Sequence, residues 1–264
     1  MDFTNSYGVR PLLPFEDRWF YGDLVFVVDP WIWLILGFGV VLLTARSRGR
    51  VLFWLMVGTM LGLIVALSLR GPADSSEVAQ ALTISDGVRI TWFVGLALIV
   101  LGGIFRLGRR GPRLAHYSLV ALSVYYGSMW LLHQSALDRV RTHPPFSSTD
   151  LAMHSLSAWP APADPFLWQV VARTDNRLSA GQLDMRGPVL DWQEVTVVDS
   201  YLEEAIRKSP EGEVFLEFAR YISVTVEERD QSFVVILQDL RFPLRLMAQL
   251  DKEMAVQSVD LRWY

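Results

Sequence analysis

The hydrophobic residues of this chain follow two patterns. Between Pro30 and His133 they form four long runs, and from residue 134 to 264 they alternate with polar residues or gather in short β-branched clusters. The runs are residues 30–45 (PWIWLILGFGVVLLTA), 51–69 (VLFWLMVGTMLGLIVALSL), 90–105 (ITWFVGLALIVLGGIF) and 114–132 (LAHYSLVALSVYYGSMWLL). A bilayer core about 30 Å thick needs roughly 20 helical residues at ~1.5 Å each. The second and fourth runs meet that length. The third relies on flanking Trp, Tyr and Arg, and the first on these or on extension back to Leu24 across Asp29. The second run lacks the polar stripe at period 3.6 that a buried helix of a water-soluble bundle would carry. The pattern predicts an α-helical integral membrane protein with four transmembrane helices and a C-terminal soluble α+β domain. Its expected parts are an interfacial segment (1–29), a four-helix membrane domain (30–133), a Pro/Ser-rich linker (134–165) and the α+β domain (166–264).

Charges in the connections predict the orientation. Arg46, Arg48 and Arg50 crowd the first loop, and Arg106, Arg109, Arg110 and Arg113 the third, whereas the second sets Arg70 and Arg89 against Asp74, Glu77 and Asp86. The positive-inside rule then places the first and third loops in the cytoplasm and both termini outside it, in a multi-pass protein of the bacterial inner membrane. Trp31, Trp33, Trp92, Tyr126 and Trp130 fall near the expected outer span ends, as an interfacial belt requires. Gly58 and Gly62 form a Gly-x-x-x-Gly pair that predicts close helix packing within the chain, with dimerisation as the alternative.

Beyond residue 165 the segments FLWQVVAR, GQLDMR, EVTVVD, YISVTVEE, SFVVILQDLRF and AVQSVDLRW read as strands. A hairpin connection is expected at 228–232 and short helices at 201–208 and 213–220, the first with acids leading and bases trailing. Asp239 and Arg241 read as a strand-end salt bridge.

Composition narrows the function classes. With 52% hydrophobic and 20% charged residues and no cysteine, the chain is neither disordered, nor a disulfide framework, nor a Cys-ligated metal protein. The mean hydropathy is +0.28. Net charge is −4, split between 11 Arg against 8 acids in residues 1–133 and 13 bases against 20 acids beyond them. An acidic C-terminal half has no excess of Lys and Arg for phosphates, which excludes nucleic acid as a partner.

The start of the chain carries the most specific sequence signal. The run Asp2-Phe-Thr-Asn-Ser-Tyr-Gly-Val-Arg-Pro-Leu-Leu-Pro-Phe, then Arg18-Trp-Phe-Tyr-Gly-Asp23 and Val28-Asp-Pro-Trp31, closely resembles the central motif of the bacterial membrane-bound, metal-dependent hydrolases of the LexA-regulated inner-membrane type. The later Asp239-Leu-Arg-Phe242, following a Trp168-containing segment after Asp164-Pro165, is similar to the C-terminal part of their long forms. In that family a His stands three or four residues before the aspartate that matches Asp2, and a His-Arg-Gly-x-Thr-His-Ser motif lies farther upstream. This sequence contains no such motif, nor a basic region followed by an apolar core at MDFTNSYGVR, so an earlier native start or a fragment is expected.

The resemblance implies a divalent metal ion, hydrolysis at the membrane surface, and Asp2, Asp23 and Asp29 as the acids offered to the ion. Each has a plainer reading. Asp2 is otherwise a solvated terminal acid, Asp23 an interfacial charge, and Asp29 an N-cap ahead of Pro30 at the first helical position. Arg10 and Arg18 are candidates for binding an anionic headgroup or substrate, or they are snorkelling interfacial arginines. Carboxylates without His or Cys favour Mg²⁺ or Ca²⁺ over Zn²⁺, and weak or no independent metal binding is expected. The histidines form no site by spacing. His116 and His133 lie 17 apart, His133 is expected at a helix end, and His143 and His154 fall in the linker stretch. Catalytic residues and oligomeric state are not specified. Two functions follow: a membrane-surface hydrolase with a lipid or envelope substrate, or a non-catalytic membrane-anchored envelope protein whose C-terminal domain binds a partner or lipid.

Overall fold

Asp29 and Pro30 start the first helix in the way their chemistry favours, and the other apolar runs also become helices. In the computed structural model, residues 2–44, 47–68, 86–105, 113–142, 153–174, 177–187, 189–229, 232–242, 244–252 and 256–263 are described. Helices α1 (Pro30–Thr44), α2 (Arg48–Ser68), α3 (Asp86–Ile104) and α4 (Arg113–Thr142) come first. Strands β1 (Met153–Ala161), β2 (Asp164–Thr174), β3 (Leu178–Asp184) and β4 (Val189–Val195) follow, then α5 (Ser200–Arg207) and α6 (Pro210–Phe218). Strands β5 (Ile222–Arg229), β6 (Ser232–Asp239), β7 (Leu244–Leu250) and β8 (Val256–Trp263) close the chain. The fold is α+β, with two four-stranded sheets ordered β1-β2-β3-β4 and β5-β6-β7-β8.

This corrects the expected four transmembrane helices. Among the described residues no helix is long and apolar enough to cross a membrane. Helix α1 has 15 residues, about 22 Å at ~1.5 Å per residue, which falls short of a bilayer core. Helices α2 and α3 begin on charged turns containing Arg48 and Arg50, and Asp86 and Arg89. Helix α4 is long, but it continues through Asp138, Arg139 and Arg141. The orientation argument, with both termini outside the cytoplasm, therefore has no spans to act on among the described residues. Of the loop residues it used, Arg46, Arg70, Asp74, Glu77, Arg106, Arg109 and Arg110 lie outside the described residues, as does His143.

The chain divides into two compact units. The first comprises Met1–Thr142, Ala158–Gln169 and Leu183–Val189, and the second His143–Ser157, Val170–Gln182 and Leu190–Tyr264. In the first unit α1 packs against α3 and α4, and α2 against α3. Ile32, Val41 and Leu42 of α1, Leu96 and Ile99 of α3, and Leu114, Met129, Ala136 and Val140 of α4 are buried. Close approach of α2 to α3 is built on its two glycines. A Cβ at Gly58 would lie 2.6 Å from Leu96, and one at Gly62 would lie 2.4 Å from Trp92 Nε1. That accounts for the glycine pair by packing within the chain.

Much of the expected linker is ordered structure. Residues 134–142 continue α4 because Ala136 and Val140, one turn apart, are fully buried. His133, expected at a helix end, sits inside α4 with its ring 5.6 Å from that of the buried Trp168. Residues 153–161 form β1, which includes His154.

In the second unit β5 and β6 pair antiparallel from Ile222↔Asp239 to Arg229↔Ser232, which places the hairpin where the sequence indicates it. Strand β7 joins β6 and β8, with a register shift at Gln249/Leu250. The alternation of β7 buries Leu244, Leu246, Ala248 and Leu250. Helix α5 is capped by the Asp199 carboxylate, which accepts from Leu202 N at 2.7 Å. Helix α6 is capped by Ser209, whose hydroxyl accepts from Gly212 N at 3.0 Å, with Pro210 in the first turn. Both caps satisfy amides that have no partner within the helix. Asp239 and Arg241 form a fully buried ion pair at the end of β6, with Arg241 Nη2 donating to Asp239 Oδ2 at 2.6 Å and to Phe218 O at 2.7 Å. The guanidinium lies 5.2 and 5.0 Å from the Phe218 and Phe242 rings.

Candidate functional site

Residues 2–31 fold into a knot in which two separate stretches satisfy each other's backbones. A 3₁₀ turn, Asp2–Thr4, opens it. Thr4 O accepts from Leu24 N and Val25 N at 2.9 and 3.1 Å, and Asn5 O accepts from Gly22 N and Asp23 N at 3.2 and 3.3 Å. Val9 and Phe20 exchange two bonds of 2.9 Å across an isolated bridge. Asn5 also closes an Asx turn, its Oδ1 accepting from Tyr7 N at 2.9 Å. Gly22 is required by proximity, since a Cβ there would lie 2.2 Å from Phe3 O.

The knot buries polar groups that ordinarily stay wet. Asn5, Ser6, Asp23 and Asp29 are each at most 5% exposed. Asp23 adopts φ +54°, the left-handed region that Asp tolerates better than most residues. Asp29 is held from two sides. Its Oδ1 accepts from Trp31 N at 2.8 Å and Ile32 N at 3.2 Å, and its Oδ2 accepts from the Tyr125 hydroxyl at 2.6 Å. Burial pushes its carboxyl above the usual range, while the Tyr125 hydroxyl and the two amides pull it back in part. The neighbouring residue of α4, Tyr126, places its hydroxyl 3.3 Å from Thr4 Oγ1. Trp31 Nε1 donates to Ala163 O at 2.9 Å.

The residues singled out by sequence thus occupy different positions. Asp29 is the N-cap of α1. Asp23 is buried beside the 3₁₀ turn that contains Asp2, and Asp2 itself is exposed. Arg10 pairs with Asp17 at 2.6 Å and lies 4.5 Å from the Trp19 ring centre. Arg18 lies 3.3 Å from Glu16 and 4.6 Å from the Phe20 ring centre. Thr4, Tyr125 and Tyr126 do not stand out in the sequence as site residues, Tyr126 figuring there only in the expected interfacial belt. Only the Tyr-Tyr doublet marks the last two, and nothing in the spacing links position 125 to position 29.

As a metal centre the donor set is incomplete. Hard carboxylate oxygens suit Mg²⁺ or Ca²⁺, but such ions take six or more oxygens around one point. Among the described residues no group of three or more His, Cys, Asp or Glu side chains comes together to hold an ion. Asp29 in addition has both oxygens engaged by hydrogen-bond donors. The residues described do not fit a divalent ion by themselves.

Residues 1–72 match the sequence model of the YdjM inner membrane protein family, a stretch that contains the knot, α1 and α2. The match is consistent with an inner-membrane location. No curated protein and no solved structure matches the chain.

Proposed function

We propose that this is a non-catalytic protein of the bacterial inner membrane, with the lipid bilayer as one partner and the second unit serving to bind another partner or lipid. The observation that carries this reading is the outward face of the helices. Leu52, Met56 and Met60 of α2, Ile90 and Leu98 of α3, and Val120, Val124 and Leu131 of α4 are all more than half exposed. Large apolar patches are rare on proteins that stay monomeric in water, and lipid contact removes the cost of exposing such side chains. The knot acts as scaffold in this reading: Asp29 caps α1 and receives Tyr125, and the arginines are paired to nearby acids. In the second unit Tyr201 and Val214 are exposed on α5 and α6, offering apolar contacts to a partner.

A second reading keeps the hydrolase that the resemblance implies. The observation in its favour is Asp23, a buried carboxylate in a left-handed conformation beside the turn that contains Asp2. Residues held in such conformations cluster at functional sites. In that reading a divalent ion takes Asp2 and Asp23 together with further ligands.

Titration of the purified full chain with Mg²⁺, Mn²⁺ and Zn²⁺ by calorimetry puts the first reading at risk. The non-catalytic reading expects no stoichiometric binding, and Asp23→Asn indistinguishable from wild type. Stoichiometric submicromolar binding that Asp23→Asn abolishes would overturn the non-catalytic reading and put an ion where the hydrolase reading needs one.

A further inference from the structure

We infer that the turn at residues 11–15 is a lipid-inserting tip, by which the N-terminal knot enters the acyl boundary of a phospholipid bilayer. This rests on the membrane reading above and names the surface that does the work. Phe15 is 94% exposed, Leu13 52% and Leu12 42%, and Phe3 nearby in sequence is 59% exposed. Three large apolar side chains displayed by a five-residue segment are costly in water, and burying each in hydrocarbon recovers the transfer free energy.

Part of the tip's backbone is already satisfied or lacks a donor. Pro11 and Pro14 carry no N–H, and the amides of Phe15 and Glu16 both donate to Leu12 O at 2.8 and 3.0 Å. The Leu12 and Leu13 amides and the outer carbonyls still need polar partners, which holds the backbone at the headgroup level while the side chains reach the acyl boundary. The base is fixed by the Val9–Phe20 bridge, so insertion does not require the loop to order first.

The rim matches the headgroup layer. Arg10 pairs with Asp17, and Arg18 with Glu16, so the base of the turn carries two cations and two anions in neutral pairs. Trp19, stacked 6.1 Å from Tyr21, and Phe20 follow directly, the residue types that occupy membrane–water interfaces. A neutral, aromatic-rimmed, protruding tip favours insertion driven by apolar burial over attraction to anionic lipid.

The chain has no cysteine, so a single introduced one can be labelled specifically. Phe15→Cys and Leu13→Cys, each carrying an environment-sensitive dye on the full chain, are mixed with vesicles of phosphatidylethanolamine and phosphatidylglycerol. Val226→Cys, at an exposed position of β5, is the control. Blue-shifted emission quenched by lipids with a nitroxide on the acyl chain is expected at 13 and 15 and not at 226. Adding Leu13→Asp to the labelled Phe15→Cys chain should weaken insertion roughly ten-fold or more, which shows that the dye alone does not drive it. Co-flotation with vesicles while both probes report water would overturn the tip and leave the membrane reading standing. Quenching unchanged by Leu13→Asp would also overturn it. Absence of wild-type co-flotation would overturn the membrane reading and this inference together.

Discussion

Two buried aspartates, one in each unit, are stabilised by opposite means. Asp29 has dipoles around it: two amides at the start of α1 and the Tyr125 hydroxyl. Asp239 has a full cation, the Arg241 fork, which is itself sandwiched between two phenylalanine rings. Hydrogen-bond donors stabilise a carboxylate without demanding that it be charged, so a neutral amide can take the place of Asp29. A guanidinium buried at the end of a strand does demand the charge, because each ion offsets the desolvation of the other. The first unit can therefore tolerate losing its buried charge, and the second cannot.

The largest expected effect breaks the second arrangement. Arg241→Leu leaves Asp239 buried without its counter-ion and should cost about 3–5 kcal/mol in chemical unfolding of the full chain. Arg241→Lys should recover only part of it, since an ammonium cannot reproduce the fork that reaches both Asp239 and Phe218 O.

Asp29 sharpens the contrast at smaller scale. Asp29→Ala removes the cap and should cost about 1–2 kcal/mol, whereas Asp29→Asn, itself a good N-cap, should be close to neutral. The pH dependence separates them further. Because burial raises the folded-state pKa of Asp29, the ionised carboxylate is penalised at neutral pH. The folded state takes up its proton first as pH falls. Wild type should thus gain stability relative to Asp29→Asn as pH drops through the folded pKa toward the unfolded value near 3.8. A difference that stays flat or widens in the other direction would contradict the assignment. The smallest effect is expected on the surface of α5, where Glu203→Ala breaks the exposed Glu203–Arg207 pair. It should change stability by no more than about 0.5 kcal/mol.

Local chemistry was legible in the sequence wherever neighbours in the chain decide the structure. The Asp29-Pro30 start of α1, the turn between β5 and β6, and the start of α5 all follow from adjacent residues. The run 153–161 hid its strand behind serine, alanine and Pro160. Strand β1 is the edge of its sheet, the place where a missing N–H is tolerated. Strand β7 was concealed by its helix-forming Leu, Met, Ala and Gln, although every second residue of it is buried. The four apolar runs gave their helices correctly and misled on what those helices are, because hydropathy along a run does not measure where the helix starts and stops. In the candidate site the backbone exchange between residues 4–5 and 22–25, and the reach of Tyr125 across 96 positions to Asp29, leave no periodic trace.

The tyrosine doublet of α4 has a mechanical corollary. Successive positions on an α-helix point about 100° apart, yet the two phenols meet different parts of the N-terminal segment, one at its beginning and one where it enters α1. Turning α4 about its axis would slacken both tethers together. The first thirty residues and the fourth helix are thus geared to each other, and whatever prises one loose must rotate the other.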